Sequence, residues 1–253
     1  FLLIAKRSES SKINALCYRF KELHFLNENM IKLVVFDWNG TLLSDTQATV
    51  HAENVVNKRF GKKPISIRQY RESSTVPWTQ HMLKWGYSKK EMDENFQEIQ
   101  NLFHAVYEPR AKHCRSRAGA RRLLAFLERE NIDKIIASNH VVEGINSHLH
   151  RLKLSNYFKH TLAHEDKFGS RKKRVKEKKI AGYIKTHGYK PNEVAIVGDS
   201  DEEIHVAKKL GLVSIAITHG IFTKKRLQAE KPDFIVSSLD KIIPIIEEIN
   251  SKK

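Results

Sequence analysis

Cysteine is scarce in this sequence: Cys17 and Cys114 are the two in 253 residues, and they follow no metal-ligand spacing. That sets aside a disulfide framework and a cysteine-based metal site, and a reducing cytoplasm is the simplest setting. Long apolar runs are missing as well. None approaches the ~20 residues of a membrane span, so no membrane association is expected. The opening Phe1-Leu2-Leu3-Ile4-Ala5 is too short for a complete signal-peptide apolar core. No internal repeat is visible, and no RNA- or DNA-binding motif stands out.

What is present fits a packed protein. Hydrophobic residues make up 40% of the chain, enough for a core rather than disorder. The length allows one large α/β domain, or a core domain with a smaller inserted one. The formal charge is +16, from 45 Lys and Arg against 29 Asp and Glu. Such a balance favours anionic partners: phosphorylated metabolites, nucleic acid or acidic surfaces. A lysine-rich solubilising surface is the plainer explanation of most of it.

Residues 1–29 carry scattered charges and serines with no strand pattern. They read as a leader or extension, with Met30 the expected natural start; the alternative is an N-terminal helix over Ile13 to Leu26. A first strand is expected from about Lys32 to Phe36. Residues 47–108 then read as helices, with Val50, Val55, Val56 and Phe60 on one face. Met92, Phe96, Ile99, Phe103 and Val106 recur at helical spacing after Tyr87-Ser88. After Pro109 strands and helices alternate. Helices are expected at Arg117–Glu130, Val142–Leu152, Lys176–Thr186 and Glu202–Leu210. Strands are expected at Ile132–Ala137, near Tyr157–Leu162, at Val194–Val197, at Leu212–Ile217 and at Phe234–Val236. That alternation predicts a doubly wound parallel sheet with right-handed crossovers. Residues 30–46 and 109–253 would form this α/β core, and residues 47–108 a helical insertion.

The chemistry gathers at two strand ends. Leu33 to Phe36 stops at Asp37, followed at once by Asn39, Gly40 and Thr41. A buried strand that ends in an acid and breaks into a glycine turn places the carboxylate at the carboxyl edge of a sheet, where open α/β folds bind ligands. Far downstream, VAIVGDSDEE from Val194 to Glu203 repeats the pattern and ends at Gly198-Asp199.

Together these segments resemble the haloacid-dehalogenase-like superfamily, most of whose members are phosphatases. That family's first motif reads D-x-D-G-T; here it is Asp37-Trp38-Asn39-Gly40-Thr41. Its last motif is an acidic cluster after an apolar strand, matched by Asp199 to Glu203. The resemblance spans roughly residues 31–240 and is closest to capped, phosphoglycolate phosphatase-like members. It implies a helical cap over the site and a magnesium ion. Asp37 would be the nucleophile that forms an aspartyl phosphate. Asp37, the backbone carbonyl of Asn39 and Asp199 would hold the metal, with Glu203 orienting a metal-bound water; Asp201 and Glu202 read equally well as ordinary helix-start acids. Ser138 would bind a phosphoryl oxygen beside Asn139, with Thr41 a minor substrate contact. A lysine should touch both nucleophile and phosphate. Arg171 to Lys179 holds seven basic residues, among which Lys176 is preferred and Lys173 comes second.

Asn39 departs from the family. The second Asp of that motif protonates the leaving group, and a carboxamide cannot exchange a proton in this way. Three outcomes follow: another acid such as His140 or His81 takes over, the leaving group needs little help, or turnover is slow. The expected activity is magnesium-dependent hydrolysis of a small phosphomonoester by a monomer or homodimer. Rivals are a weakly catalytic binding or regulatory protein, a phosphatase of nucleic-acid ends and a phosphotransferase. Trp38 is expected to pack in the core, as are Trp78, Trp85 and Tyr87 in the helical insertion.

Overall fold

The computed structural model describes residues 30–165 and 175–251. The expected leader and Lys173 lie outside the described residues. Six strands form one parallel sheet: β1 (Leu33–Phe36), β2 (Asp133–Val141), β3 (His160–His164), β4 (Val194–Gly198), β5 (Val213–Ile217) and β6 (Phe234–Val236). Their order is β3-β2-β1-β4-β5-β6, every neighbouring pair parallel. The order reverses at β1, the point at which doubly wound sheets open a crevice at their carboxyl edge.

The uninterrupted apolar β1 is explained by burial on both faces. Val34 and Phe36 enter one core cluster with Leu123, Ile136, Val197 and Ile246. Leu33 and Val35 enter another with Ile135, Ile180 and Ile196. Trp38 is fully buried in the first cluster and stacks on His148, a core role as its sequence context implied.

Between β1 and β2 the chain is helical: α1 (Thr46–Arg59), α2 (Ile67–Ser73), α3 (Thr79–Lys84), α4 (Lys89–Glu94), α5 (Phe96–Ala111) and then α6 (Ala120–Arg129). The sheet is flanked further by α7 (Val142–Arg151), α8 (Lys176–Thr186), α9 (Asp201–Leu210), α10 (Lys224–Ala229) and α11 (Ile242–Ser251). Capping boxes start α2 at Ser66 with Gln69 and α4 at Ser88 with Glu91. The pattern around Met92 and Phe96 is two helices rather than one, because Asn95 ends α4 and begins α5. Helix α5 continues through Pro109 to Ala111. Ala48 and Ala52 of α1 pack against Tyr107 and Ala111 of α5. Trp85 and Tyr87 join a separate apolar cluster with Met82 and Ile99. Among the described residues no helix is long and apolar enough to cross a membrane.

Two strand limits differ from the sequence reading. β2 does not stop before Ser138 but runs to Val141, and β3 begins at His160 rather than Tyr157. Ala137 pairs with Leu162 while Val141 pairs with His164, so β2 carries two residues more than β3 over this stretch. The irregularity frees Ser138, Asn139 and His140 from the ladder at the carboxyl edge of the sheet.

Candidate active site

Three adjacent strands deliver the first side chains. Asp37 follows β1 and its N–H still donates to Val197 O at 2.9 Å. Asp199 follows β4 next door, and Ser138 lies on β2 at the other side. The chain turns sharply after Asp37, with the N–H groups of Leu42 and Leu43 both donating to Trp38 O. Gly40 has φ +71°, and a Cβ there would lie 2.1 Å from Asp199 Oδ2. Glycine is thus required twice over, for its backbone angle and for the carboxylate against it.

Lys176 opens α8 and enters this cluster almost wholly buried. Its Nζ donates to Asp37 Oδ1 at 3.0 Å and lies 3.1 Å from Glu202 Oε2, with Glu203 Oε1 in contact as well. Burial opposes a charged lysine, but Asp37, Glu202 and Glu203 outweigh it and hold the Lys176 pKa well above its ordinary value. Burial raises Asp37, Lys176 opposes that shift, and Glu203 and Asp199 reinforce it. Glu203 is lowered, because Lys176 and the Ser200 hydroxyl overcome its burial. Glu202 belongs to the cluster too: it accepts from Asn139 Nδ2 at 2.7 Å and leaves Oε1 without a partner. From sequence it reads nearly as well as an ordinary helix-start acid as it does as a member of the metal-site cluster. Its contact with Lys176 arises from α8 and α9 meeting, which spacing along the chain does not encode.

Asp199 accepts from Thr41 Oγ1 at 3.1 Å and from Ile221 N at 2.6 Å. Burial, then Glu203, push it up to about 7. Thr41 is fully buried, is not among the residues lining the cavity, and holds Asp199 through its hydroxyl. Glu203 gives one oxygen to Lys176 and accepts from Ser200 Oγ with the other at 2.6 Å. Among the described residues no three His, Cys, Asp or Glu side chains make a metal-binding set. Asp37 and Asp199 on neighbouring strand ends are hard oxygen donors that suit magnesium, and among the described residues Lys176 is the one lysine or arginine paired with Asp37, Glu202 and Glu203. Magnesium typically takes one or two carboxylates and completes its shell with water and phosphate.

Asn39 is clamped. Its Nδ2 donates to Asp45 Oδ2 and to Tyr107 Oη, each at 2.7 Å. Tyr107 Oη in turn donates to Asp45 Oδ2 at 2.6 Å, and Gly40 N to Asp45 Oδ1 at 2.7 Å. Both amide hydrogens are therefore committed, and the carbonyl oxygen is the end left for other partners. Burial raises the Asp45 pKa against these donors. Neither Asp45 nor Tyr107 carries a motif signal. The aromatic–acid pair is assembled by α5 folding back over the turn.

These groups line a cavity of about 230 Å³ between the sheet edge and helices α1, α2, α3 and α5, with Trp78, Met82, Ile99 and Phe103 on the helical side. Trp78, expected in a core, stacks on Phe96 and also lines this wall. His81 and His140 both reach the cavity. His140 is buried, and burial drives its pKa down to about 4, so its ring is neutral; its Nε2 sits 3.6 Å from Glu108 Oε1. Glu108 also pairs with His104 Nδ1 at 3.0 Å. His81 Nδ1 accepts from Thr75 N at 3.2 Å, which leaves its other nitrogen to carry the proton.

The fold that carries this carboxylate and lysine is shared with known proteins. The family profile described as haloacid dehalogenase-like hydrolase matches residues 34–217. The chain belongs to the haloacid dehalogenase-like hydrolases. It is 22% identical over 231 residues to the phosphoglycolate phosphatase of Synechococcus elongatus, covering 87% of this chain and 99% of that one. Phosphoglycolate phosphatase of Vibrio vulnificus is 22% identical over 227 residues, 87% and 98% of the two chains. Among solved structures, a predicted phosphatase from Clostridium acetobutylicum superposes with a TM-score of 0.74 at 19% identity, over 87% of this chain and all of that one.

Proposed function

We propose that this protein is a phosphomonoester phosphatase in which Asp37 is the nucleophile. The observation that carries this reading is the Lys176–Asp37 contact of 3.0 Å at the floor of a cavity large enough for a small phosphate ester. An Asp37 oxygen attacks phosphorus, the bond to the leaving-group oxygen breaks, and an aspartyl phosphate results. Water then attacks phosphorus, releasing inorganic phosphate and restoring the Asp37 carboxylate. Lys176 holds Asp37 in line and offsets charge on the phosphoryl oxygens. Ser138 and Asn139 flank the same floor and would donate to those oxygens. Asp37, Asp199 and the Asn39 carbonyl would hold magnesium, which supplies positive charge to the phosphoryl group when bound. Asn39 offers no proton, so esters with poor leaving groups should turn over more slowly than those whose leaving group departs unaided.

The helical segment of residues 47–108 acts in this reading as a cap that encloses substrate. A cavity of about 230 Å³, below the ~300–1,000 Å³ typical of ligand pockets, favours a small ester over a polynucleotide end. Asn39 favours a second reading, a phosphotransferase: an aspartyl phosphate lacking a base to activate water persists long enough to meet another acceptor. Hydrolysis of p-nitrophenyl phosphate with magnesium, with EDTA and in Asp37→Asn tests the proposal. Metal-dependent turnover that disappears in the variant supports it. Turnover that survives Asp37→Asn rules out the covalent route. A phosphoenzyme that accumulates without releasing phosphate favours transfer.

A further inference from the structure

The cavity wall contradicts the charge of the chain that builds it. The sequence carries +16, yet Asp37, Asp45, Glu53, Asp199, Glu202 and Glu203 all line the cavity, and among the described residues Lys176 is the only lysine or arginine that does. Lys176 is already shared by Asp37, Glu202 and Glu203. Among the described residues no lysine or arginine of the helical side lines the cavity to hold a second acidic group of a substrate.

Glu53 is the telling residue. It is buried on α1, away from the sheet edge, and no lysine or arginine among the described residues pairs with it. The nearest basic side chain to it is His81, whose Nε2 lies 3.7 Å away, beyond hydrogen-bond distance. His81 is 3% exposed and that nitrogen has no hydrogen-bond partner. A buried carboxylate left short of donors calls for a ligand that donates. The same cavity is lined by the aromatic residues Trp78, Phe103 and Tyr107, a class of side chain that attracts ammonium groups. Acid and aromatic together select a cation and reject an anion.

We infer that the substrate is a small phosphomonoester whose body carries an amine or quaternary ammonium group, received by Glu53 and the aromatic wall while Lys176 and the strand-end carboxylates handle the phosphate. This rests on the phosphatase reading. It also separates the chain from relatives named for phosphoglycolate, an ester that carries a second acid group.

The test compares kcat/KM for p-nitrophenyl phosphate, phosphoethanolamine, phosphocholine and phosphoglycolate in the wild-type protein with magnesium. An amine ester should exceed phosphoglycolate by about tenfold or more, the equivalent of one charge-assisted hydrogen bond. Glu53→Gln, of the same shape, should shrink that ratio chiefly through KM of the amine ester. Phosphoglycolate turned over as well as either amine ester, while p-nitrophenyl phosphate is hydrolysed, overturns the inference and leaves the phosphatase reading standing. An unchanged ratio in folded Glu53→Gln also overturns it. No turnover of any ester defeats the phosphatase reading and this inference with it.

Discussion

The carboxamide nitrogen of Asn39 lies 2.7 Å from Oδ2 of Asp45, and a carboxylate at position 39 would face that oxygen with no hydrogen to share. In Asn39→Asp one of the two carboxyl groups must therefore keep a proton at neutral pH. The variant should lose about 1–3 kcal/mol of stability through the broken hydrogen bond. It should also gain a proton donor beside the scissile bond. Turnover of an alkyl phosphate should rise by about 10² or more, and turnover of p-nitrophenyl phosphate by much less, since its leaving group needs no proton. Equal gains on both esters would contradict this assignment.

Removing Lys176 should be costly to the fold as well as to turnover. Lys176→Met leaves Asp37, Glu202 and Glu203 buried together without their cation. Stranding buried charge in this way costs about 3–5 kcal/mol. Urea unfolding should show the loss, and Glu203→Gln in the same variant should recover part of it by deleting one repulsive charge.

Gly220 should tolerate no side chain. A Cβ there would lie 1.8 Å from Asp199 Oδ2, so Gly220→Ala must displace that carboxylate. A shift of about 1 Å in catalytic geometry can cost about 10² in rate. The expected result is a fall in kcat of that order with a raised magnesium requirement, read from metal titrations of activity.

His140 should weaken the fold in mild acid. Its folded pKa is held down at about 4 by burial, against an ordinary 6.5. Between these values the unfolded chain binds a proton that the folded chain does not. Stability is therefore complete above about 6.5 and falls as pH drops toward 4, by about 3 kcal/mol at most. His140→Gln should flatten this part of the stability–pH curve measured by urea unfolding at stepped pH.

The strand-end acids were legible because an apolar run breaking into a turn is a local signal. Asp37 and Asp199 needed nothing more. Lys176 was legible from its place at a helix start, although six other basic residues surround it in the sequence. Asp45, Tyr107, Glu202 and Glu53 were not legible in the same way. Asp45 folds back on Asn39 and Gly40 within a turn that carries no motif signal, and Tyr107, Glu202 and Glu53 take their places only through helices that meet in three dimensions, as Tyr107 on α5 does in meeting Asn39. The extension of β2 past Ser138 was hidden for a similar reason, since an irregular register is a property of two strands and not of one. Ser138 was nonetheless found, because its distance from the strand start does not depend on where the ladder resumes.

Tyr107 has a consequence for how the protein would open. The phenol that steadies Asn39 belongs to α5, the helix that also sends Phe103 and His104 into the cavity wall. A swing of α5 that admits substrate would withdraw Tyr107 from Asn39 in the same stroke, freeing the carboxamide to rotate. Entry and readiness would then be two positions of one lever: an open chain would be disarmed, and rearmed only by closing on what it had let in.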